Sequence, residues 1–191
     1  MINLRKEIEN LPDKSIVLLI LNVRQYYEGI LEVLKLLCND QALPGIYITL
    51  NKPYGTLKEL LRDRGVDTTK LFFIDAISQT VTQPKLVNHH VIYLPNPQSL
   101  TDISLAMNAA AESLPGSKKF LFMDSLSTLL IYNETQTVAK FAHFLTVKMR
   151  SLNIKGVLIA LRQMLDEELI FEVSQYCDKV IDLSSEVIEI A

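Results

Sequence analysis

The sequence has few of the features that mark secreted, metal-bound or membrane-spanning proteins. Its two cysteines, Cys38 and Cys177, have neither another cysteine nor a histidine nearby, which argues against a disulfide framework and a zinc finger. The longest apolar run, Ile16–Leu21, is far too short to cross a bilayer. The charged start of the chain lacks the apolar core of a signal peptide. These absences predict a cytoplasmic protein without a membrane segment, whose two thiols are buried.

Charge and hydropathy narrow the class of protein further. Hydrophobic residues make up 49% of the 191 residues and the mean hydropathy is +0.20, which excludes a disordered chain. The net charge of −3 argues against a nucleic-acid partner. The length suits one domain over residues 1–191. Because so much of the chain is apolar, we expect a partner copy to cover part of the surface.

Short apolar runs alternate with helical patterns along the chain, which is typical of a parallel α/β sheet. The runs predicted as strands are Ser15–Leu21, Ile46–Leu50, Leu71–Asp75, Val91–Leu94, Phe120–Asp124, Val157–Leu161 and Lys179–Leu183, with Val187–Ile190 as a hairpin partner. The segments predicted as helices are Met1–Asn10, Ile30–Cys38, Thr56–Arg64, Ser99–Leu114, Thr135–Leu152 and Asp166–Tyr176. Residues 77–88 are predicted as a loop. Gly65 is expected to end the third helix, Gly156 to precede a strand, and Ser99 with Asp102 to form a capping box.

One apolar run, Phe120–Met123, ends abruptly at Asp124 and is followed by Ser125. A run that does not alternate favours a strand buried on both faces, and a carboxylate at its carboxyl end lies where open α/β sheets bind ligands. Asp124 is therefore either the aspartate of a Walker B strand, which holds Mg²⁺ in nucleotide-binding proteins, or a cap of the next turn together with Ser125. Asp75 ends an earlier strand in the same way. The two acids either face one cleft or each cap a turn.

Several pieces of the chain, in order, resemble the RecA-like domain of the KaiC-type ATPases. Residues 45–78 are similar to the second strand, the following helix and the third strand of that family. Residues 120–130 resemble its Walker B region, and residues 154–161 and 176–183 resemble its last strands. The resemblance implies a three-layer α/β/α architecture with a mainly parallel sheet, the RecA-like P-loop NTPase fold. It also implies that Asp124 descends from a Walker B aspartate.

The segment between the first strand and the first long helix departs from that family. A phosphate loop needs the pattern G-x-x-x-x-G-K-[ST], whose glycines let backbone amides wrap the phosphates. Leu21–Gly29 reads LNVRQYYEG and has none of the required glycines. Tyr27 and Glu28 stand about where the lysine and the hydroxyl residue belong. Arg24 is the one cation of the segment and either approaches a phosphate or is a solvated loop residue.

A second departure follows the second strand. The resemblance implies an acid there that polarises the attacking water, but Asn51 or Lys52 occupies the place. An asparagine orients a water without accepting its proton. Arg162 follows a later strand, where related oligomers place a cation that reaches a neighbour's nucleotide. It is interpreted either as such a trans cation or as a surface arginine.

Two clusters of titratable residues do not predict a functional site. His89 and His90 are adjacent, so on a strand they point to opposite faces, and no metal site is expected from them. The acidic run of Asp166, Glu167 and Glu168 begins a predicted helix, where carboxylates favour the helix dipole.

These residues predict a RecA-like domain that has lost its nucleotide machinery and has no catalytic residues. The leading hypothesis is a regulatory or protein-interaction module without a cofactor, which pairs with itself or with a KaiC-like relative. The alternative is an ATPase or switch that binds MgATP weakly, using Asp124 and a partner subunit's cations. A third possibility is another small ligand at the carboxyl edge of the sheet.

Overall fold

The computed structural model describes residues 3–80, 89–165 and 167–185 of the chain. The strands are β1 Ile16–Leu21, β2 Gly45–Thr49, β3 Leu71–Asp75, β4 Val91–Tyr93, β5 Lys119–Asp124, β6 Ile154–Leu161 and β7 Lys179–Asp182. The α-helices are α1 Leu4–Glu9, α2 Tyr26–Leu34, α3 Tyr54–Asp63, α4 Leu100–Ser113, α5 Leu126–Tyr132, α6 Thr135–Ser151 and α7 Glu167–Ser174. A π-helical segment, Lys35–Asp40, continues α2.

These strands form one sheet in the order β4-β3-β2-β5-β6-β1-β7, and every pairing is parallel. The predicted parallel α/β sheet is confirmed. Because the strands are parallel, their carboxyl ends meet at one edge. That edge gathers the end of β1, the end of β2 and Asp124 at the end of β5.

Helices cover both faces of the sheet, as the apolar runs predict. In β1 every residue is buried, and alternate side chains enter two different cores. Ile16, Leu18 and Ile20 pack in the core that also holds α4, α5, α6 and α7. The intervening residues pack against α1, α2 and α3. The architecture is therefore the expected three-layer α/β/α arrangement.

Several boundaries differ from the sequence predictions. Residues 26–29 belong to α2, whereas the sequence places the start of this helix at Ile30. Gly156 lies inside β6, and not before it. A Cβ on Gly156 would come within 2.7 Å of the end of the Met149 side chain, so α6 packs closely on the strand at this glycine. Helix α5 was not predicted.

Two predictions about helix ends have opposite outcomes. Gly65 follows α3 with a φ of +78°, a conformation that glycine adopts at little cost, so it is the expected stop. The capping box at Ser99 was wrong, because the Ser99 side chain makes no capping hydrogen bond with α4. Among the described residues no helix is both long and apolar enough to cross a membrane. The predicted strand Val187–Ile190 and most of the predicted loop at 77–88 lie outside the described residues.

Candidate functional site

The carboxyl edge of the sheet carries a group of buried polar side chains. Thr49, the last residue of β2, lies in register between Asp75 of β3 and Asp124 of β5. Asp124 is only 4% exposed, and Asp75 is fully buried. Buried carboxylates need hydrogen-bond donors, so the partners of these two acids define what this edge does.

Three side chains from two neighbouring regions donate to the Asp124 carboxylate. The Tyr26 hydroxyl, in the first turn of α2, donates to Oδ1. The Asn51 Nδ2 donates to the same oxygen at 3.0 Å, and the Tyr47 hydroxyl donates to Oδ2 at 2.8 Å. No lysine or arginine of the described chain forms an ion pair with Asp124. Neutral donors from α2, β2 and the β2–α3 turn therefore hold this acid.

The hydrogen bonds extend beyond the carboxylate. Asn51 Nδ2 also donates to the Tyr26 hydroxyl oxygen at 2.9 Å, and Asn51 Oδ1 accepts from the Thr128 hydroxyl at 2.6 Å. The Thr128 and Ser125 hydroxyls are 3.0 Å apart, and Ser125 begins α5 as its N-cap. We call the connected residues the Asp124 network; they are Tyr26, Tyr47, Asn51, Asp124, Ser125 and Thr128.

Burial sets the protonation of this network. It raises the pKa of Asp124, against the opposing effect of the hydrogen bonds from Tyr26, Tyr47 and Asn51. Burial, together with the neighbouring Asp124 charge, also raises the pKa of Tyr26 and of Tyr47. The two phenols therefore keep their protons and remain donors at neutral pH.

The turn between β1 and α2 is short and closed by its own first residue. Only residues 22–25 separate the strand from the helix. The Asn22 side-chain oxygen accepts from the amides of Arg24 and Gln25, each at 2.9 Å, and the Gln25 amide also donates to the Asn22 carbonyl at 3.1 Å. The Asn22 amide group donates to the carbonyl of Ser184 at 3.1 Å. This Asx turn ties the carboxyl end of β1 to the residues after β7.

Three side chains of this segment that the sequence singled out lie outside the network. Arg24 is exposed on the turn. The Tyr27 ring is half-exposed, and the Lys52 ammonium lies 5.3 Å from its centroid. Glu28 pairs with Arg64, the residue after α3, at 3.3 Å. None of the three contacts Asp124.

Asp75 has a local role of its own. Its carboxylate accepts from the backbone amides of Tyr54, Ile77 and Ser78 at 2.7–2.9 Å and from the Ser78 hydroxyl at 2.5 Å. It thereby joins the start of α3 to the turn after β3. Asp75 and Asp124 lie on either side of β2, and each is bonded to its own surroundings.

Arg162 and the histidines lie away from Asp124. Arg162 is in a 3₁₀ turn directly after β6 and pairs with Glu167 at 3.1 Å on the surface. His89 and His90 precede β4 and line a cavity of about 240 Å³ with Lys70 and other residues at the amino edge of the sheet. Among the described residues, no group of three histidine, cysteine or acidic side chains is placed to hold a metal ion.

Sequence reasoning missed Tyr47 and Thr128 and did not give Tyr26 a role. Tyr47 has a visible signal, because it is the one phenol in the otherwise apolar run of β2. A buried phenol needs a hydrogen-bond partner, and an acid at the end of a neighbouring strand supplies one. Tyr26 has no comparable signal, since its partner is 98 positions away in the sequence.

A protein-family model matches residues 33–183, which is most of the chain and includes β2 to β7. The chain belongs to this family of unknown function, DUF7504. The match begins within α2, after the β1–α2 turn and Tyr26. A search of curated proteins finds no match to the chain.

Solved structures show the fold more specifically. The chain is similar to a KaiC-like protein, PH0186, from the hyperthermophilic archaeon Pyrococcus horikoshii OT3, with a TM-score of 0.67 and 16% identity over 94% of this chain and 77% of that one. It is also similar to PH0250 from the same organism, with a TM-score of 0.65 and 12% identity over 96% of this chain and 89% of that one. At these identities the likeness shows the fold alone. The DUF7504 chain has a KaiC-like, RecA-like fold.

Proposed function

We propose that this DUF7504 chain is a non-catalytic RecA-like domain that acts as a regulatory or protein-interaction module. The observation that carries the proposal is the Asp124 network, in which internal donors hold the acid at the position of a Walker B aspartate. Related folds bind nucleotides at this edge of the sheet. Here the acid at the edge is hydrogen-bonded to side chains of the protein itself.

The β1–α2 turn does not fit a triphosphate. A phosphate loop wraps its ligand with several free backbone amides. Here only four residues connect strand and helix, and the amides of Arg24 and Gln25 donate to Asn22 instead. Glu28 places a negative charge in the first turn of α2, where a polyanion would lie. The segment therefore lacks the free amides of a phosphate loop, and it has no net positive charge, because the charges of Arg24 and Glu28 cancel.

Asp124 does not fit a magnesium site in this arrangement. Its Oδ1 accepts from both Tyr26 and Asn51, which uses both lone pairs of that oxygen. Its Oδ2 accepts from Tyr47, and the residue is almost completely buried. Oδ2 keeps one lone pair without a donor, but a hydrated cation would have to enter an almost completely buried position to reach it. No step of a nucleotide reaction is therefore assigned to this acid.

Asn51 is one of the two residues, with Lys52, that follow β2 where the KaiC resemblance implies a catalytic acid, and it cannot act as a base. Asn51 donates through Nδ2 to Asp124 and Tyr26, and its Oδ1 accepts from Thr128. An amide does not take up a proton at neutral pH, and this one, although exposed, is hydrogen-bonded to side chains of the protein. This supports a domain without hydrolytic activity.

Thermal unfolding with and without excess MgATP tests the proposal. A ligand at 100 times its dissociation constant adds about 2.7 kcal/mol of stability, which is roughly 5–10 °C for a domain of this size. We expect no shift in the midpoint for the wild-type chain. A clear upward shift that is lost in Asp124→Ala would instead support the alternative, a nucleotide-binding switch.

A matched variant, Tyr26→Phe, shows why MgATP leaves the thermal midpoint unchanged, if it does. In Tyr26→Phe one donor to Asp124 is absent, so a cation that competes for Oδ1 meets less competition. If the network excludes the nucleotide only by occupying Asp124, Tyr26→Phe will show a shift that the wild type lacks. If the β1–α2 turn also excludes it, both proteins will be flat, as we expect.

A further inference from the structure

Exposed apolar side chains are concentrated on one helical layer of the molecule. The layer of α4 to α7, with the turns next to it, exposes the large apolar residues Leu105, Ile131, Phe144, Val147, Leu152, Met164 and Phe171. Among the described residues, the layer of α1 to α3 exposes Tyr27 alone, with Val23 on the turn before α2. Val180 on the edge strand β7 is exposed as well. Because most of the exposed large apolar side chains nevertheless belong to one layer, this layer is where we expect a contact with another macromolecule.

The centre of this surface is formed by two adjacent helices. Helix α6 exposes Phe144 and Val147, which lie one turn apart on the same side of the helix. Helix α7 exposes Phe171, which is 69% accessible. The two helices are neighbours, since the His143 ring of α6 stacks on Tyr176 just after α7 at 4.3 Å. We call this surface the α6–α7 face.

The α6 half of the face is positive. Lys140 and Lys148 stand four residues before and four residues after Phe144, so they flank it along the helix. The Lys148 ammonium lies 5.4 Å from the Phe144 ring centroid and donates to the Ser104 hydroxyl of α4 at 3.0 Å. Lys140 is exposed and forms no ion pair among the described residues.

The α7 half of the face is negative. Glu167 and Glu168 precede Phe171 by one turn, and Glu172 follows it directly. Glu167 pairs with Arg162, whereas Glu168 is exposed and forms no ion pair within the described part of the chain. The same face therefore presents apolar residues on both helices, with cations along one and carboxylates along the other.

We propose that the α6–α7 face binds a second copy of this chain in a two-fold symmetric dimer. This inference rests on the proposed role as an interaction module and names its partner. In a two-fold interface, residues that contact one another do so twice, once in each direction. If the axis runs between the two helices, α6 of each copy meets α7 of the other. Lys140 then faces Glu168 of the second copy, and Phe144 and Phe171 come together at the centre.

The charge pattern favours this occupant over other partners. A nucleic acid or an anionic membrane would be attracted to the lysines of α6 but repelled by the carboxylates of α7. An acidic peptide meets the same conflict. In two copies in antiparallel orientation, the positive α6 half of each copy faces the negative α7 half of the other. Both halves then have a partner of opposite charge.

Charge reversal tests the pairing. Sedimentation velocity of the wild-type chain should show a dimer, and both Lys140→Glu and Glu168→Lys should raise the dimer dissociation constant roughly tenfold, because each change alters two symmetric pairs. Both positions are exposed, so both variants should stay folded, as their circular dichroism spectra would show. Glu168→Lys should lower the thermal midpoint slightly, because it removes a carboxylate from the first turn of α7. Glu59→Lys on α3, an exposed reversal on the opposite layer, should leave the dimer unchanged.

Mixing the two variants gives the decisive result. In a heterodimer of Lys140→Glu with Glu168→Lys, both pairs are again of opposite sign, so we expect the mixture to dimerise with close to wild-type affinity. A wild-type chain that stays monomeric at its highest soluble concentration overturns the proposal. Variants that dimerise like the wild type, or a mixture that stays monomeric, also overturn it. None of these outcomes depends on nucleotide. The experiment therefore tests the dimer separately from the proposed loss of nucleotide binding.

Discussion

At the scale of single residues, the main feature is a buried acid held by neutral donors. Tyr26 lies in α2 and Tyr47 in β2. Their hydroxyls donate to the two carboxylate oxygens of Asp124, one to each. The sequence predicted Asp124 at the end of its strand, because an apolar run that stops at an acid is visible in the letters. It did not predict the phenols, because strand register and the position of α2 are set by contacts that the local pattern does not contain.

The Tyr26 hydroxyl is expected to stabilise the fold. In Tyr26→Phe the buried Asp124 loses one donor, and Nδ2 of the exposed Asn51 loses one acceptor. We predict a loss of about 1–3 kcal/mol in the free energy of unfolding, measured by urea denaturation. Tyr27→Phe is the matched control, since the Tyr27 hydroxyl has no hydrogen-bond partner among the described residues, and it should change stability by less than about 0.5 kcal/mol. Equal effects of the two variants would contradict the role of Tyr26.

The raised pKa of Asp124 predicts a dependence of stability on pH. Between its ordinary value of 3.8 and its higher value in the folded protein, the folded state binds more protons at this site than the unfolded state. This contribution is fully present below pH 3.8 and is lost as pH rises through the folded pKa. We therefore expect the stability of Asp124→Asn, relative to the wild type, to increase as pH rises above 3.8, measured by urea denaturation at a series of pH values.

Asp13 provides a control of opposite sign. The hydrogen bond and ion pair with Lys118 lower the pKa of Asp13, so its contribution is present above pH 3.8 and is lost at lower pH. The difference between Asp13→Asn and the wild type should accordingly be constant above pH 3.8. A difference for Asp124→Asn that is also constant there would show that the folded protein does not favour the neutral carboxyl.

At the scale of helices and strands, the sequence predicted which helices and strands exist better than it predicted where each one begins and ends. The strands β1, β2, β3, β5 and β6 were predicted because their residues are almost all buried, which leaves apolar runs in the sequence. The start of α2 was placed too late, because the first helical turn contains Gly29 and its N-cap, Gln25, makes no side-chain capping hydrogen bond. Gly156 was taken as a break, because a glycine inside a closely packed strand looks the same in the sequence as a glycine required by a turn.

Two glycines of neighbouring elements should respond to alanine in opposite ways. A Cβ on Gly45 of β2 would lie 2.1 Å from the buried Phe120 ring, so Gly45→Ala should cost about 1–3 kcal/mol or more in unfolding free energy. Gly55, in the first turn of α3, has open space around it, so Gly55→Ala should stabilise by up to about 1 kcal/mol. Thermal or urea unfolding of both variants checks this pair, and a tolerated Gly45→Ala would show that β2 and β5 pack less closely than the structure has them.

At the scale of the whole molecule, the sequence predicted the fold, but it predicted only some residues of the site and not their hydrogen bonds. Strands alternating with helices indicate a parallel sheet, but they do not give the order β4-β3-β2-β5-β6-β1-β7, in which β1 lies far from β2. The ordered pieces that resemble KaiC-type ATPases led to the RecA-like architecture, which the similarity to PH0186 shows. What the resemblance does not contain is which side chains this chain places at the carboxyl edge of its sheet.

The central claim is that the protein's own side chains occupy this edge in place of a magnesium–nucleotide complex. Crystals grown with excess MgATP test it most directly. We predict that Tyr26, Tyr47 and Asn51 will remain bonded to Asp124, with the Asn22 turn closed and no phosphate beside it. Phosphates lying against residues 22–29, with a cation at Asp124 and the Tyr26 hydroxyl displaced, would contradict the account.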